Sequence, residues 1–556
     1  MMKTMKYMTM AVLALAGAVT AGCSQDDNIF VDEQQTVNNG NTVTLTATVG
    51  FDGGAETRAL TEYGVKTFAV GDQIAVIYTD TGHETVKAVS APLTAADIIS
   101  GGKSARFSVT VSNPDKSKNV TYIYPACMAT DEGKLNYDAL KTQDGTLEYI
   151  AANLDACMYK GAWDGDDLPT NVTLANQLAI CKFTFMSEDA DITRSLTSLS
   201  IEQEYKGYYF VNPSSLDVIY VAMRSGSTGE IGFYASDGTT SYDKTVTSKT
   251  LDAGSIYPIK VSGMSKWDGN LSTLNRDITV AGGMTLTGSI DDEWVISIAA
   301  GATVTLKDIY IFNGEDPCIT CHDGATIVLS GENTVIGEDT PGIYVDEEET
   351  MTIQGDGSLN VQSTNKDAPG IGGSHSYGNI VIAGGTITAQ GGKYAAGIGG
   401  GYVENNSATG GNITITGGTV TATGGYGGAG IGTGMCKSWQ VNGYNKCGNI
   451  LITGGTVTAT GGENAAGIGS GYAMGRPNSH NKAITQCGDI TVTIGVTRVT
   501  ATGGSSYSIG RGSSENGSPR CGTVTVGCTL DSEGNPVGGE TYKSGITTNP
   551  FTWPSE

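Results

Sequence analysis

Internal repetition is the strongest constraint on this chain. The unit G-N-I-x-I-x-G-G-T-x-T-A starts at Gly378, Gly411 and Gly448, with degraded copies at Gly488 and Gly522. A second phrase, G-I-G-x-G, recurs around Ile371, Ile398, Ile431 and Ile468, with a relic at Ile509. Upstream, "DPCIT" and "TPGIY" put Ile319 and Ile343 at the equivalent point. Within a unit, β-branched residues alternate with period two: Ile413 and Ile415 on one side, Asn412, Thr414 and Thr416 on the other. That period marks half-buried strand. Strands this short bury no core alone, whereas stacked copies cover one another.

The inward columns can be written from the repeats. One runs Val304/Leu306, Ile327/Leu329, Met351/Ile353, Ile380/Ile382, Ile413/Ile415, Ile450/Ile452, Ile490/Val492 and Val524/Val526. A second runs Ile309, Val335, Leu359, Ile387, Val420, Val457 and Val499. The isoleucine of the G-I-G phrase supplies a third. Three short strands per turn, in about eight rungs, predict a right-handed parallel β-helix over 270–530. At a spacing of ~4.8 Å the rod is roughly 40 Å long. Glycine pairs such as Gly417-Gly418 and Gly424-Gly425 are expected at corners, where side chains disfavour the backbone angles. A flexible linker would show no isoleucine columns. A dinucleotide loop would open a helix after a single strand, and "GAGIGTG" opens none.

Repeat length varies at one place, between the G-I-G phrase and the next G-N-I. The segment grows from "GSHSY" through "GGYVENNSAT" and "GMCKSWQVNGYNK" to "GYAMGRPNSHNKAITQ". One corner is therefore expected to carry a set of adjacent loops, the usual place for a solenoid's binding face. Their content suits a polar ligand. Tyr402, Trp439, Tyr444 and Tyr472 offer aromatic faces, while Asn405, Asn442, Asn478 and His480 offer hydrogen bonds. Aromatic faces against C–H surfaces, with amides on hydroxyls, bind sugars. The competing reading is that these loops pack on themselves. Cys436 and Cys447 bracket the Trp439 loop, and Cys447, Cys487 and Cys521 share one repeat position.

Catalysis by a β-helix needs paired carboxylates or calcium carboxylates with a base. Here the acids are scattered, so no enzyme is expected and no catalytic residue is named. The run Asp346-Glu347-Glu348-Glu349 reads as a solvated corner, calcium being the one cofactor it would suit. Cys318 and Cys321 read as small buried residues, since no second C-x-x-C or histidine pair completes a zinc site. With 57 acids against 32 bases the net charge is −25, which excludes a nucleic-acid partner.

At the amino terminus Lys3 and Lys6 precede an apolar run and "TAG" leads to Cys23. This resembles a bacterial lipoprotein signal over 1–22, which implies acylation of Cys23 and an outer-membrane anchor. "SQDDN", within the acidic linker 23–41, resembles the tag of lipoproteins exported to the cell surface. From Thr42 to Val261 glycine falls and short alternating runs appear, an antiparallel β-sandwich pattern in two parts, 42–185 and 186–264. "TRAL" at 57–60, "FAVGDQIAVIY" at 68–78, "YIYPA" at 122–126, "VTLANQLAICKFTF" at 172–185 and "LDAGSIYPIKV" at 251–261 resemble fimbrillin-like proteins of the type V pilin superfamily. The resemblance implies two linked β-sandwiches, pilus subunits as partners, and an arginine-specific cut at Arg58. The β-helix half resembles modules described as carbohydrate-binding, on "GATVTL", "GATIVLSGENTV", "GDGSLNV" and "AAGIGGG". Residues 531–556 are expected to form a cap or tail, and "SGITTNPFTWP" is the only stretch there suited to donate a strand. The combination is expected to be a surface adhesin or terminal pilus subunit that binds a glycan or other extracellular ligand. The alternatives are a polysaccharide-binding lipoprotein of an uptake system and a pectinase-like enzyme.

Overall fold

In the computed structural model, residues 42–51, 67–204, 207–291, 293–365, 367–477 and 482–554 are described. Cys23, Arg58, Asn478 and His480, and the expected signal and linker, lie outside them. Among the described residues no helix is long and apolar enough to cross a membrane. The chain divides into two compact units. The first takes the described residues through Arg194, with Glu202–Ile231 and Val246–Ser262. The second takes Ser195–Ile201, Gly232–Thr245 and Gly263 onward.

The first unit is all strand apart from short helical turns. Its largest sheet has eight strands, ordered Thr85–Val89, Ala75–Thr79, Val120–Tyr124, Cys157–Gly161, Val172–Asn176, Thr42–Phe51, Ser104–Ser112 and Ile98–Ile99. In Ser104–Ser112, Ala105, Phe107, Val109 and Val111 are buried and the residues between them face out. Phe68 packs edge-on against Phe107 and Tyr124, with ring centroids 5.3 and 5.2 Å apart. A second sheet is built on Leu178–Ser187. The pairing is not wholly antiparallel as the alternation suggested. Val172–Asn176 runs parallel to Thr42–Phe51, and Ile256–Val261 runs parallel to Leu178–Ser187. Period two reports which face is buried and is silent on strand direction; both parallel pairs are joined by crossovers long enough to allow it.

The second unit is a parallel β-helix with three strand faces. The third face is a ten-stranded sheet that begins with Ile278–Val280 and Ile296–Ile298 and continues through every G-I-G strand to Ile509–Gly510. Its last strand, Gly545–Ile546, runs antiparallel. The rod thus starts one rung earlier than the repeats indicated, with Leu286 stacked on Leu306. Trp267 and Leu271 join the same core at that end. At the other end Glu540–Tyr542, Gly545–Ile546 and Phe551–Trp553 pair antiparallel with the last strands of the three faces. They cover an edge that would otherwise present open backbone to other strands.

All the isoleucines of the three expected columns are buried. Two columns shift by two residues at one rung. Ile353 stacks on Ile327, so Met351 falls on Ala325. Likewise Val335 stacks on Ile311, and Asn333 takes the place between Ile309 and Leu359. A slip of two keeps every side chain on its own face, so alternation alone does not reveal it. Gly418 has the left-handed φ (79°) expected of a corner. Gly425 instead is needed for close stacking, since a Cβ there would lie 2.1 Å from the Gly392 carbonyl oxygen.

Candidate ligand-binding flange

The variable corner does not carry separate loops. Each of the four longer excursions folds into two short strands, and those strands stack from rung to rung. Val403–Glu404, Cys436–Ser438, Ala473–Gly475 and Ser514–Glu515 form one four-stranded ladder. Ser407–Thr409, Gly443–Lys446, Ala483–Cys487 and Arg520–Cys521 form the other. Pairing is parallel, with Cys436 on Val403 and Ala473 on Cys436. The result is a flange with a thin core of its own, in which Cys436, Ala473 and Ala483 pack together. Small residues suit it because two ladders approach closely. Buried polar groups tie it to the rod. Asn445 Nδ2 donates to the Gly401 carbonyl at 2.8 Å, and Thr485 Oγ1 donates to that of Gly471 at 2.8 Å.

The corner that precedes each G-I-G strand meets the flange strand one rung further on. The N–H of Tyr402 donates to Asp367, that of Met435 to Tyr394, and that of Tyr472 to Gly427, at 2.8, 2.8 and 2.9 Å. This pairing assembles a row of four tyrosines from three successive turns, with Tyr394 and Tyr402 flanking one G-I-G strand. Ring centroids are 5.2 Å apart for Tyr402 and Tyr394, 6.4 Å for Tyr394 and Tyr426, and 6.4 Å for Tyr426 and Tyr472. Tyr426 is 42% exposed and Tyr472 only 7%. The hydroxyls at the ends of the row are held by carboxylates: Tyr402 donates to Glu404 at 2.8 Å and Tyr472 to Glu515 at 3.2 Å. Burial, and then Glu515, push the Tyr472 hydroxyl up to about 12; burial and Glu404 raise that of Tyr402. The Lys393 ammonium lies 5.1 Å from the Tyr394 ring centre.

Trp439 is 44% exposed on the turn between Cys436–Ser438 and Gly443–Lys446. The Lys437 ammonium sits 4.4 Å from its ring centre and 2.6 Å from Glu404 Oε1, which fixes the indole beside a charged pair. The expected amides have structural duties. Asn405 Oδ1 accepts the N–H groups of Trp439 and Gln440 at 2.8 and 3.0 Å, and Asn442 Oδ1 accepts that of Lys482 at 2.9 Å. Tyr444 stands on the other ladder, between Ser407 and Ile484, with Lys446 over its ring. The structure therefore brings Tyr402 and Tyr472 into one row and leaves Tyr444 outside it. The row's middle members, Tyr394 and Tyr426, escape a reading confined to the variable segment. They stand in "GGKYAAG" and "GGYGGAG", at the constant corner.

Other candidates are simpler. Cys318 and Cys321 are buried free thiols in the rod, and burial pushes Cys318 up to about 12. At the acidic run, Asp346 Oδ1 accepts from the Tyr344 hydroxyl and the Glu347 N–H. Among the described residues no three His, Cys, Asp or Glu side chains converge as metal ligands.

Among solved structures the chain is similar to a fimbrial assembly protein from Parabacteroides distasonis, at 11% identity and a TM-score of 0.25, over 41% of this chain and 97% of that one. It is also similar to a Bacteroides ovatus protein provisionally assigned to cell adhesion, at 12% identity and a TM-score of 0.25, over 42% and 96%. No curated protein matches it. The family of β-helix repeats matches residues 380–402, 413–435 and 450–472, and these three turns of the rod, each ending where a flange strand begins, are β-helix repeats.

Proposed function

We propose that this protein is a non-enzymatic surface adhesin, anchored at the outer membrane through Cys23, whose flange binds an extracellular glycan along the tyrosine row. The row carries the reading. Four rings from three successive turns, with Tyr426 and the nearby Trp439 open to solvent, offer apolar faces beside hydroxyls and charged tips. That mixture suits the alternating C–H and O–H surface of a sugar chain. The row's spacing is set by the rod, so the ligand meets a preorganised surface.

Glu404 and Glu515, which hold the ends of the row, are too widely spaced to act as a pair on one glycosidic bond. Glu404 and Glu515 stand three rungs apart in one ladder. At ~4.8 Å per rung that is roughly 14 Å, beyond the ~5–9.5 Å that acid–base pairs on a glycosidic bond require. The carboxy-terminal segment that might serve as a donated strand is paired to its own rod. This favours a terminal or solitary subunit over a shaft subunit.

The test is a glycan array with the full chain, repeated with Tyr426→Ala and Trp439→Ala. Both side chains are exposed enough to remove without unfolding the flange. Binding that falls at least tenfold in either variant supports the site. An array on which the folded protein stays silent, or hits unchanged by both substitutions, rejects it.

A further inference from the structure

Cys447 and Cys487 occupy the same place in two successive turns, at the end of the flange's second ladder. Their sulfurs are 3.1 Å apart. Lys446 pairs with Gln486 immediately before them, so the two cysteines follow in register on adjacent parallel strands. Neighbouring strands lie ~4.8 Å apart, within the ~4.4–6.8 Å between Cα atoms that a disulfide spans. Neither side chain has to leave its strand. Both are buried, Cys487 completely and Cys447 at 6% exposure. Cys521 follows Cys487 in register one rung further on and is more exposed. Cys436 points into the flange's small core with Ala473 and Ala483.

We propose that Cys447 and Cys487 form a disulfide that joins successive rungs at the end of the flange's second ladder, and that Cys521 remains a thiol. The bond closes a loop of 40 residues and fixes the second and third flange hairpins to each other. It forms by exchange with a small disulfide such as oxidised glutathione. One cysteine thiolate displaces a glutathione thiolate, and the second cysteine then displaces the other glutathione from the protein sulfur. Two protein thiols lose two protons and two electrons, and one glutathione disulfide becomes two glutathiones. Because the sulfurs are buried, the exchange is fast while the chain folds and slow afterwards.

The experiment refolds the full chain in a mixture of reduced and oxidised glutathione, blocks remaining thiols with N-ethylmaleimide, and maps peptides without reduction. The expected result includes a cross-linked peptide pair joining Cys447 to Cys487, with Cys521 alkylated. Cys521→Ser leaves this pair intact, whereas Cys447→Ser and Cys487→Ser each abolish it. Oxidised wild-type protein melts about 5 °C or more above oxidised Cys447→Ser protein. Refolded wild-type protein in which Cys447 and Cys487 are both alkylated, or in which Cys487 is joined to Cys521, overturns the proposal. These wild-type readouts decide it even where a serine variant does not fold.

Discussion

The side-chain oxygen of Asn412 accepts the backbone N–H of Asn449 at 2.8 Å. The same contact repeats above and below: Asn379 Oδ1 takes the N–H of Asn412 at 2.9 Å, and Asn449 Oδ1 takes that of Asp489 at 2.8 Å. Asp489 Oδ1 ends the ladder on the Thr523 N–H at 2.7 Å. The asparagine of the G-N-I motif is thus a rung-to-rung bracket. Only the Oδ1 acceptor is used in these bonds, and Asp489 already supplies it as a carboxylate. Asn412→Ala should cost about 1 kcal/mol, the net contribution of one hydrogen bond at an exposed site. Asn449→Asp should cost less than half of that. Urea unfolding of the two variants checks the ranking, and equal losses would show that the amide matters for another reason.

Gly432 lies at φ 136° in the G-I-G strand. A Cβ there would sit 1.8 Å from the Gly469 carbonyl oxygen of the next turn. Gly399 and Gly469 repeat the geometry, so the G-I-G strands leave no room for a Cβ between successive turns. Gly432→Ala should be among the most damaging single changes in the rod, roughly 3 kcal/mol or more, since strain and overlap add. Circular dichroism melts compare it with Thr421→Ala, an outward position whose loss should stay under about 1 kcal/mol.

Asn333 shows where sequence reading stops. It is 2% exposed in a column of aliphatic residues. Its Oδ1 accepts from the Ile309 N–H at 3.3 Å, and its Nδ2 donates to the Ser330 and Ser358 carbonyls at 3.1 and 3.0 Å. Asn333→Leu should therefore destabilise by about 1–3 kcal/mol despite adding apolar volume, because three backbone groups lose their partner. A variant as stable as wild type in guanidinium would mean that water replaces the amide.

Repetition made the rod legible: isoleucine columns, corner glycines and one variable corner all follow from spacing. The first rung, in "DITVAGGMTLTG", went unread although its Leu286 falls in register with Leu306, and the two-residue slip was hidden because it preserves burial. The site was half legible. Tyr402 and Tyr472 stand out in variable segments, but Tyr394 and Tyr426 reach them only through hydrogen bonds between one turn's corner and the next turn's flange. Asn405 and Asn442 look like ligand amides in a loop, and only the fold shows their oxygens turned to the backbone.

Alkaline pH offers the last test. Burial and the Glu515 carboxylate raise the Tyr472 hydroxyl to about 12, while an unfolded tyrosine ionises near 10. The folded state keeps its proton over that interval and the unfolded state loses it. Stability is therefore whole below pH 10 and declines as pH rises from about 10 towards 12. Tyr377, buried completely, and Tyr402 are shifted in the same direction, so the rod should lose stability steeply there. Tyr472→Phe removes the ionisable group together with its bond to Glu515. It should lower stability at pH 7 by about 1 kcal/mol and flatten the decline above pH 10. Denaturant midpoints between pH 7 and 11.5, read with tyrosinate absorbance, measure both effects. A slope unchanged by the substitution would place the alkaline loss on other tyrosines.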